Sequence, residues 1–151
     1  MKPVDAGDTI IKEITINASA ERIFDALTNP DERLKWWGAE GRYQGTHMES
    51  DLRPGGKWMA RGIGPGGRSF LVHGEYRMIE RPRLLVFTWL PDWDENASKS
   101  LVRFDVSESE GVTTVRVTHS GLMSESARAH HQGWPQVLAW LRAYIEAQVS
   151  A

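Results

Sequence analysis

The side chains able to do chemistry in this 151-residue chain are five histidines, scattered carboxylates, a serine beside a histidine, and seven tryptophans; cysteine is absent. His130 and His131 are neighbours in a segment of helical period, where successive side chains diverge by about 100°, so the two do not readily chelate one metal. His47, His73 and His119 fall on separate strand-like segments. No metal-ligand spacing emerges, and neither a metal nor a cofactor is expected. His119 is the most informative of the five, because it continues the apolar alternation of Val115 and Val117 towards the last helical segment. Two roles suit it: hydrogen bonding to backbone at a strand end, or orienting a ligand at a cavity mouth. His131 shares a stripe with Trp134, where it could meet His119, point into a cavity, or pack helix on sheet. His73 points away from the face of Phe70, Val72 and Gly74, as a surface residue would.

Asp51, Glu75 and Asp105 lie on turns or strands with no visible pairing, so no acid pair can be read. Ser120 follows His119, but adjacent strand residues face opposite sides, and the Gly-x-Ser-x-Gly elbow is absent. The residues therefore argue for binding over catalysis. An enzyme of cyclase or hydrolase type, with His119 and a nearby acid moving a proton, is the alternative. The binding reading rests on aromatics. Trp37, Trp58, Phe70, Val72, Trp89, Phe104, His131, Trp134 and Leu138 could line one pocket, with Tyr76 and His119 as polar handles. Gly74, in mid-strand on the same face, would let the sheet curve or let Trp134 or a ligand approach. The competing reading is that these side chains simply fill the core.

The elements that must position them follow from periodicity. Ser124 to Val149 places Ala127, His131, Trp134, Leu138, Leu141 and Ile145 on one stripe, with Glu125, Arg128, Gln132, Gln136, Arg142 and Glu146 opposite. A continuous helix there would run about 39 Å. Gly133-Trp134-Pro135 interrupts it, and the proline predicts a kink with Pro135 early in a second segment. Ile10 to Asn17 alternates as a strand. Ser19 caps a short helix carrying Ile23, Phe24 and Leu27, and Asn29-Pro30 starts another running to about Trp36, with Glu32 placed for a capping box. Residues 39 to 46 read as loop, and strand chemistry resumes at His47. Asp51 to Gly56 is a tight turn before a strand at Lys57 to Arg61, and Gly62 to Gly67 is a hairpin connection with no phosphate-loop signature. Phe70 to Ile79 alternates with Phe70, Val72, Gly74, Tyr76 and Met78 on one side. Leu84 to Leu90 follows the Arg81-Pro82 turn, and Leu101 to Val106 pairs with Val112 to Thr118 as a hairpin. The order predicts an α+β fold: an antiparallel sheet of about six to seven strands wrapped around a long C-terminal helix, with two short helices after the first strand.

The length suits one domain spanning residues 1–151, with a core at about 9–149, large enough to need no staples. A formal net charge of −2, with 18 basic and 20 acidic residues interspersed, leaves no footprint for nucleic acid. No apolar run approaches a membrane span, and MKPVDAGDT lacks the apolar centre of a signal peptide. Zero cysteines suit a reducing compartment, and a cytoplasmic location is expected.

The order of elements, with specific residues at its joints, resembles the helix-grip superfamily known as START-like or SRPBCC. Within it the chain is similar to the family named after the activator of the 90-kilodalton heat-shock protein ATPase. The resemblance is carried by AERIFDALTNPDERLKWW (20–37), DLRPGGKW (51–58), HGEYRMIERPRLLVFTW (73–89), THSGL (118–122) and HHQGWPQVLAWLRAYIE (130–146). It implies a cavity between curved sheet and long helix, often used for apolar small molecules. It does not imply one activity, because the superfamily includes carriers, hormone receptors, cyclases and chaperone regulators. The leading expectation is a non-catalytic domain holding an apolar or aromatic ligand. The family's name suggests a chaperone or other protein partner, for which Trp93 in a polar loop and an exposed Trp36-Trp37 pair could serve as anchors. Sheet edges leave homodimerisation open as a further expectation.

Overall fold

A succession of hairpins builds the sheet, and two helices carry the chain from one of its edges to the other. The computed structural model describes residues 9–39, 42–92, 99–123 and 131–149. Among these, β1 (Ile10–Ile16), β2 (Gly38–Ala39), β3 (Tyr43–Ser50), β4 (Lys57–Ile63), β5 (Ser69–Glu80), β6 (Leu84–Pro91), β7 (Ser100–Ser109) and β8 (Val112–Ser120) form one antiparallel sheet in the order β1-β8-β7-β6-β5-β4-β3-β2. The β7–β8 turn shows why the pattern folds this way. Glu110 and Gly111 both adopt positive φ, 52° and 80°, the backbone twist that a two-residue hairpin requires and that glycine adopts without strain. The register then sets Val102, Phe104 and Val106 opposite His119, Val117 and Val115, so all six point into the core.

Helices α1 (Ala20–Thr28) and α2 (Pro30–Trp36) join the edge strand β1 to β2 at the opposite edge. Ser19 Oγ accepts the Arg22 N–H at 3.2 Å, and α1 buries Ile23, Phe24 and Leu27. Asn29 Oδ1 accepts the Asp31 and Glu32 N–H groups at 2.9 and 3.1 Å. The expected capping box does not close. The Asn29 N–H is already given to Asp25 O in the last turn of α1, which frees the Glu32 carboxylate to bind both guanidinium nitrogens of Arg22 and to accept the Tyr144 hydroxyl at 2.8 Å. Burial alone would raise the Glu32 carboxyl, but these hydrogen bonds outweigh it and hold the group below its ordinary range. This triad ties α1, α2 and the last helix together.

That last helix, α3, spans Trp134–Val149. Residues 131–133 form a turn, so the interruption expected at Gly133-Trp134-Pro135 is present, and the segment after it is a helix of about 24 Å that starts at Trp134. Pro135 is its second residue, where a missing N–H leaves no bond unmade. Ser124, Ala127 and His130 lie outside the described residues. The rest of the stripe holds: His131, Trp134, Leu138, Leu141 and Ile145 are buried, while Gln132, Gln136 and Arg142 face outward. The helix packs on β1 and α2.

Two strand expectations change. β3 begins at Tyr43, not His47, because the Tyr43 ring finds edge-on partners in Phe70 and Trp140, 5.9 and 5.6 Å away; tertiary aromatic packing extends a strand that local composition does not announce. In β5 the register shifts between Tyr76 and Met78. That bulge turns Met78 outward, 44% exposed, off the face it was expected to share with Tyr76. The architecture is the α+β helix-grip fold. No helix among the described residues is long and apolar enough to cross a membrane.

Candidate ligand cavity

A cavity of about 890 Å³ lies between the inner face of β3 to β6, helix α2 and the start of α3. Six of the residues named from sequence line it: Trp37, Phe70, Val72, Trp89, His131 and Trp134, joined by Leu34, Tyr43, Met48, Ala60 and Val137. Trp37, Trp89 and Trp134 form a continuous aromatic wall, backed by Trp58. Trp37 stacks on Trp89 at 6.0 Å between ring centroids and meets Trp134 edge-on at 5.6 Å, while Trp58 lies 5.6 Å from Trp89.

The other six stand behind that lining, in the packed interior. Trp58 is buried against Phe87, with its indole N–H donated to Thr88 O at 3.2 Å. Gly74 makes this bond geometrically feasible: a Cβ there would sit 1.8 Å from Thr88 O and 2.7 Å from Trp58 Nε1. The group that approaches Gly74 is therefore the Thr88 backbone with the Trp58 indole, and not Trp134. Tyr76 shares a 2.6 Å hydrogen bond with Ser50 Oγ, and Phe104 and Leu138 are buried beneath Trp134 and within α3. Trp36 is 3% exposed, stacks on Trp37 at 5.2 Å and donates its indole N–H to Ala26 O, so it is no surface anchor. Trp93 lies outside the described residues.

His119 is fully buried, and its partners define its tautomer. An indole N–H can only donate, so Trp134 Nε1 donates to His119 Nδ1 at 3.2 Å. The imidazole proton then sits on Nε2 and is given to Ser100 Oγ at 2.7 Å, leaving the serine hydroxyl to donate to Trp89 O at 3.3 Å. The Trp89 indole in turn donates to His131 Nε2 at 3.0 Å. The expected backbone bond to His119 is thus replaced by side-chain partners. Burial, with a smaller push from the His131 ring 4.7 Å away, lowers the His119 pKa to about 3. The ring is neutral at physiological pH with both nitrogens engaged, so it has neither proton nor lone pair to offer a substrate. Among the described residues, no three of His, Asp and Glu lie together as a metal site requires.

Tyr43 and Arg33 are among the lining residues that sequence reasoning missed. Tyr43 accepts the Trp37 indole N–H at 3.1 Å, and burial raises its phenol above the ordinary value, which keeps the hydroxyl protonated as a donor. Arg33 is 5% exposed, with its guanidinium 4.7 Å from the Trp37 ring centroid, 5.5 Å from Trp58 and 5.9 Å from Phe87. The signal for Arg33 was present in the sequence: it precedes Trp36 and Trp37 by three and four residues, and so shares their helix face. A lone arginine on a short charged helix reads more readily as solvated.

A family-level comparison matches residues 17–146 to the Activator of Hsp90 ATPase homolog 1-like protein description. No curated protein matches the chain. Among solved structures, the AHSA1 protein of Silicibacter pomeroyi superposes with a TM-score of 0.77 at 26% identity, covering 93% of this chain and 99% of its own. A protein from Chromobacterium violaceum gives a TM-score of 0.82 at 20% identity, covering 92% and 97%. DynU16, from the dynemicin biosynthetic locus, gives 0.72 at 18% identity, with 92% of this chain aligned to 47% of that one. The match over residues 17–146, borne on a helix-grip fold, means that this chain belongs to the Activator of Hsp90 ATPase homolog 1-like family.

Proposed function

We propose that this domain binds an apolar, aromatic small molecule in the cavity between sheet and α3. The observation that carries the reading is the cavity itself: about 890 Å³, walled by Trp37, Phe70, Trp89 and Trp134, with Arg33, Tyr43, Arg68, Asp92 and His131 as polar groups at its lining. That volume suits a drug-sized ligand, and such a wall desolvates flat rings while the polar groups fix their orientation. The zero cysteine count accords with work in a reducing, cytoplasmic setting. Two competing readings lose support. A His119 base is neutral, saturated with hydrogen bonds and, among the described residues, without a carboxylate partner. A chaperone-docking surface built on Trp36 lacks its anchor, because that ring is buried.

The test is an NMR titration of the indole N–H signals against uncharged aromatic compounds of one to three rings. Binding should move Trp37, Trp89 and Trp134, and Ala60→Phe, which fills the cavity from β4, should abolish those shifts while the protein stays folded. Shifts that survive Ala60→Phe, or none anywhere in the series, would overturn the reading.

A further inference from the structure

We propose that the natural ligand of this cavity is an aromatic anion, carrying a carboxylate or ionised phenol, and that Arg33 receives the charged group. The inference deepens the small-molecule reading above and rests on it.

Arg33 lines the cavity and is 5% exposed, yet among the described residues no carboxylate pairs with it and its Nε–H finds no acceptor. Buried arginines are ordinarily paired, because removing a guanidinium from water without a counter-charge is unfavourable. Three aromatic faces, Trp37, Trp58 and Phe87, hold the cation. They offer π-electron density to its plane but no lone pair to its N–H fork. The Tyr76 hydroxyl hydrogen-bonds to the guanidinium and opposes the effect of burial, which lowers its pKa only to about 10, so the charge persists at neutral pH with a neutral partner and no counter-charge among the described residues. A structural role alone does not require this chemistry: methionine or leucine would fill the same space without a buried charge that lacks a counter-ion.

A second observation points the same way. Arg68 also lines the cavity, and Asp92, the one carboxylate of the described lining, already accepts the Leu71 N–H at 3.0 Å. The lining therefore carries an excess of positive charge. A planar anion could lay its rings along the tryptophans and present two oxygens to the guanidinium fork, the geometry in which arginine outperforms lysine.

The experiment uses shape-matched pairs, aromatic carboxylates and their neutral carboxamides of one, two and three rings, titrated into the intact protein with the indole signals as readout. The wild-type protein should prefer the carboxylate by at least about tenfold, as one charge-assisted hydrogen bond supplies. Arg33→Met should erase that preference while retaining carboxamide affinity, Arg33→Lys should keep only part of it, and Arg68→Met should leave it in place. Equal wild-type affinity for both members overturns the proposal and leaves the small-molecule reading standing. A preference that survives Arg33→Met, or is lost in Arg68→Met, also overturns it. Binding of neither member across all sizes overturns both. If Arg33→Met does not fold, the wild-type preference and the Arg33→Lys result still decide.

Discussion

The buried imidazole of His119 makes the fold acid-sensitive in a window that can be isolated. In the native state its Nδ1 accepts from Trp134 and its Nε2–H donates to Ser100, and burial, seconded by His131, lowers the pKa from 6.5 to about 3. In the unfolded chain the ring takes up a proton near pH 6.5. The depressed value belongs to a base, so the unfolded state binds more protons between the two values and stability falls as pH drops from about 6.5 towards 3. Between about pH 7.5 and pH 5 this single group removes about 2 kcal/mol, from 1.36 kcal/mol per unit with the rounding near 6.5 included. Carboxylates contribute little there, because their unfolded values lie lower. The assay is urea unfolding followed by tryptophan fluorescence at both pH values, on wild type and His119→Asn. The variant keeps an acceptor for Trp134 but cannot titrate. It should be less stable throughout, by about 1 to 3 kcal/mol for the lost Ser100 partner and packing, and should lack the extra decline of about 2 kcal/mol. Equal declines in the two proteins would refute the argument.

Other outcomes follow from the same geometry. Gly74→Ala forces a Cβ to within 1.8 Å of a backbone carbonyl, so the sheet must open locally and urea unfolding should register a loss of more than about 2 kcal/mol. Glu32→Gln removes the charge that Arg22 and Tyr144 share and should cost about 1 to 3 kcal/mol. The wild-type carboxyl is held below its ordinary value, so its contribution is present above about pH 4.5 and fades as pH falls through the lowered native value. Chemical denaturation at pH 7 and pH 3 should show the two proteins converging in acid.

The fold was largely legible because hydrophobic period is a local property. Val102, Phe104 and Val106, like Val115 and Val117, announce a half-buried hairpin, and Leu138, Leu141 and Ile145 announce a helix that needs a sheet beneath it. The departures occur where distant residues intervene. Tyr43 joins a strand because Phe70 and Trp140 receive its ring. Met78 leaves the inner face because a bulge, invisible to alternation, shifts the register.

The site divides along the same line. Residue order alone determined an antiparallel sheet, a C-terminal helix with a buried stripe, and an excess of tryptophan on the faces between them, since each follows from neighbours in the chain. Only the tertiary structure decided which aromatics are wall and which are packed behind it. Trp89 lines the cavity whereas Trp58 is held by Thr88 across Gly74. It also decided that His119 is a closed hydrogen-bonding node and that Arg33 is the exceptional charge. The physical reason is that burial and pairing are relations between segments: a guanidinium on a short helix is solvated or stranded according to what the rest of the chain folds over it.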